Sequence, residues 1–347
     1  MINELLLTYN KFLPPLISVI LISFCMIPLV IALLVFISLF VAKIDAAIRN
    51  VKFGQIFNHL NKSIFIQKTS RGIEKTILIS FLVLVVFFLC FSILLIPFSD
   101  KVFLLTTGAN LVLIISLLLS VKLSFMVYHF FVSCKSLRDS NVYTYINIFV
   151  AAFIIIISSL SALIISETGN LGEIVSFQGT TPLRWNICHN PFSFVLAVLY
   201  FISMFLLLEL NPFDSRTLAS KKLGLMQNYF KINKDINKMI KYALIFLFSL
   251  IFVLIFLGGW NFSVEKTYQH KETLSDLFKP CLLLLKTTIM VYFILYLNHK
   301  LISPDYKKLT KFSTLGLLIV CLVSFLFFIA YYFIFGNEFL FDLWINS

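Results

Sequence analysis

Long apolar runs, separated by short charged or turn-forming stretches, make up most of this chain. Eight of them, at about 14–42, 76–97, 103–127, 145–166, 192–210, 242–260, 281–298 and 313–335, reach the roughly 20 residues needed to cross about 30 Å of hydrocarbon. The pattern predicts an all-α integral membrane protein, a single polytopic domain over residues 1–347 with about eight transmembrane helices. Two connections, at about 43–75 and 211–241, are long for a compact bundle, and long loops retained in such proteins are usually binding surfaces. The connection 167–191 has turn residues in Gly169, Gly172 and Pro182, with a short amphipathic piece between them. No internal repeat of the inverted-repeat transporter kind is visible.

Charge gives an independent check on the count, because Lys and Arg collect in alternate loops on the inner side of a membrane. The connections after the first, third, fifth and seventh runs hold 21 of the 28 Lys and Arg residues, Lys122 among them, and the opposite side holds six. The last, Lys286, falls inside the seventh run. A miscounted helix would scramble this alternation. Both termini are therefore expected outside, and the two long loops on the inner side.

Composition agrees: 60% of residues are hydrophobic, 13% are charged, and the mean hydropathy is +0.99. A net charge of +12 raises the question of nucleic acid, but there is no basic helix or aromatic-interleaved groove, and sidedness accounts for the charge. The partners implied are membrane lipid and other membrane-side proteins, with no nucleic acid. Forty Phe residues beside abundant Ile, Lys and Asn resemble the residue usage of A+T-rich genomes, many organellar ones included. The first run is too long for a signal-peptide core and lacks a small-residue cleavage site, so it is expected to stay as a helix; no Arg- and Ser-rich transit sequence precedes it. That fits synthesis inside the compartment or in a bacterium. Six scattered cysteines without a CxxC pair read as packing residues, and five isolated histidines as surface or loop positions, so no metal site is expected. There is no phosphate loop, GxGxxG or nucleophile elbow.

The stretch that carries chemistry is Met204–Phe230. Glu209 ends an apolar run, the turn Asn211-Pro212-Phe213-Asp214 follows, and a basic segment leads toward the next run. A carboxylate at the end of a lipid-length helix must meet water, a cation or a protonatable partner, because baring it to hydrocarbon costs several kcal/mol. It is either a functional acid or one that pairs with a loop Lys or Arg at the membrane surface.

A series of short segments, in order, resembles the NADH dehydrogenase subunit 1 family of respiratory complex I. These are Ile96-Pro97-Phe98 with Gly108-Ala109-Asn110-Leu111, then Leu137-Arg138, then Asn170-Leu171-Gly172-Glu173-Ile174-Val175 with Gln178. Glu209-Leu210-Asn211-Pro212-Phe213-Asp214 is similar to the family's Glu-Thr-Asn-Arg-x-Pro-Phe-Asp, with Gly224 and Tyr229 following. Phe256-Leu257-Gly258-Gly259-Trp260, Leu285-Lys286-Thr287, and Tyr306 with Leu309 complete the series. The likeness covers about residues 96–320.

The resemblance implies a membrane-arm subunit of proton-pumping NADH:ubiquinone oxidoreductase, not a complete enzyme alone. Its inner loops would help form an apolar chamber for ubiquinone, with a few charges at the inner end. The chain itself would bind no cofactor; NAD, FMN and iron–sulfur clusters would sit in partner subunits, with soluble quinone-site subunits and further membrane-arm subunits as neighbours. Glu209 and Asp214 would transfer protons, and Phe213, Met226, Arg138 and Tyr229 would line or support the chamber. Lys286 and Tyr306 would be structural or coupling residues. Read from the residues alone, Lys286 either snorkels to the interface or has a partner inside the bundle, and Arg138 either anchors a helix end or obeys sidedness. The implied location is the mitochondrial inner membrane, or a bacterial plasma membrane.

The chain departs from the family pattern where several Glu residues should follow Pro-Phe-Asp: Ser215-Arg216-Thr217-Leu218-Ala219-Ser220-Lys221-Lys222 stands there instead. Asn147 occupies a position where the family carries Glu, and the first inner loop's "ERK…GPN" pattern is reduced to Lys43 and Lys52-Phe53-Gly54. The other readings of the sequence are an ion or solute transporter without redox coupling and a non-catalytic membrane scaffold.

Overall fold

The structure, a computed structural model, describes residues 15–51, 72–99, 110–132, 142–209, 226–261, 272–301 and 306–335. Long helices carry the apolar runs: α1 (Pro15–Ile48), α2 (Gly72–Leu95), α3 (Leu111–Val132) and α4 (Val142–Ser166). Two short helices, α5 (Leu171–Phe177) and α6 (Asn186–His189), and a 3-10 turn at Pro182–Arg184 come next. The long helices α7 (Pro191–Glu209), α8 (Met226–Phe256), α9 (Glu272–Leu301) and α10 (Tyr306–Phe335) complete the chain. Among the described residues there is no strand, only an isolated bridge between Asn110 and Asn170. Six of these helices are long and apolar enough to cross a membrane, and α2 and α3 add the shorter apolar stretches Val83–Leu95 and Leu111–Ser124. The protein is an all-α, multi-pass membrane protein.

Two expectations change. The expected loop 211–241 is helical from Met226 onward. Its apolar positions Met226, Phe230, Ile236, Met239 and Ile240 keep the spacing of one helix face, while Lys231, Lys234, Lys238 and Lys241 fall between them. A criterion of unbroken hydropathy stops at those charges; backbone hydrogen bonding does not. The second change is Lys122, counted with an inner connection but placed inside α3, where it is 7% exposed. Residues Leu123–Val132 are mostly apolar and continue the rod, so Lys122 lies about 17 Å from the helix start at 1.5 Å per residue.

The centre of the bundle is α8. Of its apolar window, 89% is buried inside the protein, against 17% for α10, which leaves α10 a peripheral helix facing lipid. From Tyr242 to Phe256 nearly every side chain of α8 is buried, as suits a helix that is apolar all round. Helix α1 packs along α8, and its Ala42 and Ala46 are buried and share a face with Asp45. Replacing Ala42 with leucine will overpack that seam and destabilise the fold by about 1–3 kcal/mol, read as a lowered thermal midpoint in detergent. A second cluster, with Ile154, Leu196, Cys321 and Phe328, holds α4, α7 and α10 together. Cys90 and Cys321 are buried, Cys188 and Cys281 are exposed, and all four are free thiols.

Candidate functional site

Of the residues expected to carry function, Arg138, Phe213 and Asp214 lie outside the described residues. Glu209 is the last residue of α7; Met226 opens α8 with Tyr229 in its first turn, and Tyr306 opens α10. Their backbones are helical as stated, and their side chains lie outside the described ones. Lys286 and a further acid, Asp45, have described side chains, at opposite ends of the bundle.

At the inner end, α1 closes on a Schellman motif. Val51 N–H reaches the Ala46 carbonyl at 3.0 Å and Asn50 N–H the Ala47 carbonyl at 3.3 Å, with Asn50 at φ 53°. One turn inside that cap sits Asp45, 2% exposed. Its Oδ1 accepts from Arg49 Nε at 2.8 Å, four residues on, and its Oδ2 accepts from the Tyr242 hydroxyl of α8 at 2.7 Å. Arg49 is 44% exposed, so the pair runs from the helix seam out to the protein surface. Among the described side chains Asp45 is the one buried carboxylate. Reading the sequence for sidedness missed it: Lys43 and Arg49 were weighed as loop cations, and the Asp-x-x-x-Arg spacing on an Ala-lined face was not.

At the end that the charge pattern would place outside, the described parts of the connections between α2 and α3, α4 and α7, and α8 and α9 meet. Asn110 caps α3 by accepting from Val112 N–H at 3.0 Å, and Asn170 caps α5 by accepting from Gly172 N–H at 3.1 Å. Leu111 N–H also bonds the Gly169 carbonyl at 2.9 Å, which fastens the two turns to one another. Glu173, in the first turn of α5, accepts from Thr168 Oγ1 and from Asn170 Nδ2. The two Asn-Leu dipeptides of the sequence are thus helix starts, each with its leucine buried.

These turns serve the outer end of α8, whose last carbonyls have no partner within the helix. Gln178, fully buried, donates from Nε2 to the Leu254 carbonyl at 2.8 Å and accepts from Gly258 N–H at 2.8 Å. Asn186 Nδ2 donates to the Ile255 carbonyl at 2.8 Å, and Asn261 Nδ2 returns a bond to the Val175 carbonyl at 2.6 Å. Lys286, from α9, donates its ammonium to the carbonyls of Leu257, Gly259 and Asn261 at 2.9, 2.9 and 3.1 Å, and lies 4.2 Å from the centre of the Trp185 ring. A cation here also meets the negative end of the α8 dipole. Lys286, half-buried, thus has partners inside the bundle: three backbone carbonyls and an indole.

The glycines at this end are required by backbone and by space. Gly258 and Gly259 have φ of 69° and 49°, and a Cβ on Gly258 would run into the Trp185 indole. His189, expected at a surface or in a loop, is in the outer connection but fully buried, its Nδ1 at 3.4 Å from Asn190 Nδ2.

The two ends have different chemistry. The outer one is a set of neutral hydrogen bonds, with the Lys286 ammonium bound among its carbonyls. The inner one holds a buried carboxylate between an arginine that reaches the protein surface and a hydroxyl on the central helix.

Comparison with known proteins agrees with this architecture. The profile of the family described as "NADH dehydrogenase" matches residues 20–329. Among curated relatives, a subunit of the F(420)H(2) dehydrogenase of Methanosarcina mazei is 26% identical over 170 residues, 46% of this chain and 47% of that protein. A subunit of the NADH-quinone oxidoreductase of Anaeromyxobacter dehalogenans is 25% identical over 99 residues, 28% of this chain and 24% of that protein. The match thus spans about half the length of the first relative and a quarter of the second. Among solved structures, a chain of the membrane-bound sulfane sulfur reductase, an archaeal respiratory membrane complex, superposes with a TM-score of 0.62 at 17% identity, over 90% of this chain and 99% of that one. The order of segments from Asn110 to Lys286, the capped outer end they build, and the match across residues 20–329 lead to one conclusion: the chain belongs to the NADH dehydrogenase family.

Proposed function

We propose that this chain is a membrane-arm subunit of a proton-translocating quinone oxidoreductase, a respiratory complex I or close relative of one. The observation that carries the reading is the family match, which runs through every long helix. The relatives differ by name in what they oxidise or reduce, while the subunit that this chain resembles recurs. The chain's own task is then the one common to them: to supply part of the quinone chamber at the inner rim and to couple quinone reduction to proton movement. NADH oxidation, FMN and iron–sulfur clusters belong to soluble partner subunits.

In this reading Glu209, ending α7 at the inner rim, and Asp214 transfer protons to or from the chamber, while Phe213, Met226, Arg138 and Tyr229 line or support it. Tyr306 braces the inner start of α10. The quinone of this reading is ubiquinone, as the family resemblance implies, and the membrane is the mitochondrial inner membrane, for which the residue usage speaks; a bacterial plasma membrane is the alternative that the prokaryotic relatives favour.

The test is Glu209→Gln with Asp214→Asn in the assembled complex. Loss of a positioned proton carrier is expected to slow quinone reduction about 10²-fold or more, with assembly intact. Quinone reduction at the wild-type rate in the double variant would leave the chain as a scaffold.

A further inference from the structure

Asp45 is the feature that neither the family segments nor the expected acids account for. It stands two residues past Lys43, in the last turn of α1, where the family pattern is reduced. It is a carboxylate in an apolar helix seam, and an apolar side chain of similar size there would avoid the desolvation of a buried ion pair. Its place one turn from the C-terminus of α1 adds to the cost, since the dipole there disfavours negative charge. Stability alone would not keep such a group, and ionisable side chains inside membrane helices serve ion or proton movement by default.

The geometry points to Asp45, with Arg49 and Tyr242, as a proton-binding site of this subunit, opening toward the inner aqueous side and facing the central helix. The inference rests on the functional reading above, which supplies the reaction that drives proton movement. Three contacts argue for it. Arg49, about half exposed, puts the carboxylate one side chain away from water. Tyr242 places a hydroxyl on α8 against the other carboxylate oxygen, so a change in charge at Asp45 is felt by the helix at the centre of the bundle. Ala42 and Ala46, buried on the same face of α1, flank the carboxylate with apolar side chains.

The other ionisable groups toward this end of the elements that pack against α1 are Lys231, Lys234, Asp235, Lys238 and Lys241 on α8, His299 and Lys300 at the end of α9, and Glu74 and Lys75 on α2; the side chains of Lys231, Lys234, Asp235, Glu74 and Lys75 lie outside the described ones, and Glu272, Asp276, Lys279 and Lys286 belong to the other half of α9. Among the described ones Asp45 is therefore the sole acid, set among bases.

The step balances simply. One proton from the inner aqueous side adds to Asp45 Oδ1, the carboxylate becomes a neutral carboxyl, and the Arg49 guanidinium, still protonated, turns from it to water. Tyr242 keeps its own proton throughout and stays hydrogen-bonded to Oδ2. Release of the proton restores the ion pair, and no electron moves at this site.

The test uses the intact, membrane-reconstituted complex carrying Asp45→Asn, which retains the shape and the hydrogen-bonding capacity but cannot take up a proton. Expected are wild-type assembly and a fall of tenfold or more in protons moved per second, restored at least halfway by Asp45→Glu; Tyr242→Phe should give a fall of two- to fivefold. Wild-type pumping by an assembled Asp45→Asn complex overturns the proposal. Should that variant not assemble, turnover difference infrared spectra of the wild type labelled with carboxyl-13C aspartate decide. An aspartate carboxyl band altered by Tyr242→Phe supports the site, and the lack of any such band overturns it. A wild-type complex that assembles but reduces no quinone fails the functional reading, and this inference falls with it.

Discussion

Replacing Gly258 with valine will destabilise the protein by about 3 kcal/mol, and the assembled chain will be lost from membranes at growth temperature. Two costs add. A side chain at φ 69° is disfavoured by about 1–2 kcal/mol, more for a β-branched residue. Its Cβ would also occupy the space of the Trp185 indole, and overpacking costs about 1–3 kcal/mol. The indole cannot give way freely, because the Lys286 ammonium lies 4.2 Å from its centre on the way to three carbonyls. Gly258→Ala will lower the thermal midpoint in the same direction by a smaller amount. An unchanged midpoint for the alanine variant would mean that the outer end of α8 is not packed as described.

The second large effect is at Lys286 itself. Lys286→Met matches its length and apolar stem but strips the donor from the carbonyls of Leu257, Gly259 and Asn261. A buried acceptor left unsatisfied costs about 1–3 kcal/mol, and three share the loss here, so a destabilisation of about 3 kcal/mol or more is expected. Lys286→Arg, which keeps the donors and the charge at the helix end, will recover much of it. The measurement is the thermal midpoint and assembled fraction of the three proteins in one detergent. Equal midpoints for wild type and Lys286→Met would make the contact incidental and return Lys286 to a snorkelling role.

The fold was legible in the sequence because membrane insertion writes itself in length and charge. Long helices coincide with the apolar runs over the described residues, and six of them are long and apolar enough to cross a membrane. What escaped were places where a local rule outran that criterion. Helix α8 continues from its apolar part into an amphipathic stretch back to Met226, since helix periodicity does not need an unbroken apolar run. Lys122 was tallied with the connection after the third run although that run extends past it, and α3 carries it inside.

The candidate site was legible only in part. Gln178, Asn170, Gly258, Gly259 and Lys286 were all picked out as family-like segments, and their shared purpose, closing the outer end of α8, emerges from hydrogen bonds between residues up to 86 apart in sequence. Asp45 was invisible because its meaning depends on Tyr242, 197 residues away. A carboxylate near a helix end with an arginine one turn on is common; one that is buried and bonded to the central helix is not.

Whether this protein works beside redox partners decides between a respiratory subunit and the alternatives. The direct measurement is affinity purification through this chain from its own membranes in mild detergent, followed by low-temperature electron paramagnetic resonance and a quinone reductase assay on the same sample. The prediction is a large assembly with iron–sulfur signals that NADH reduces and added quinone reoxidises. A polypeptide that purifies alone, with neither signal nor quinone reduction, contradicts it.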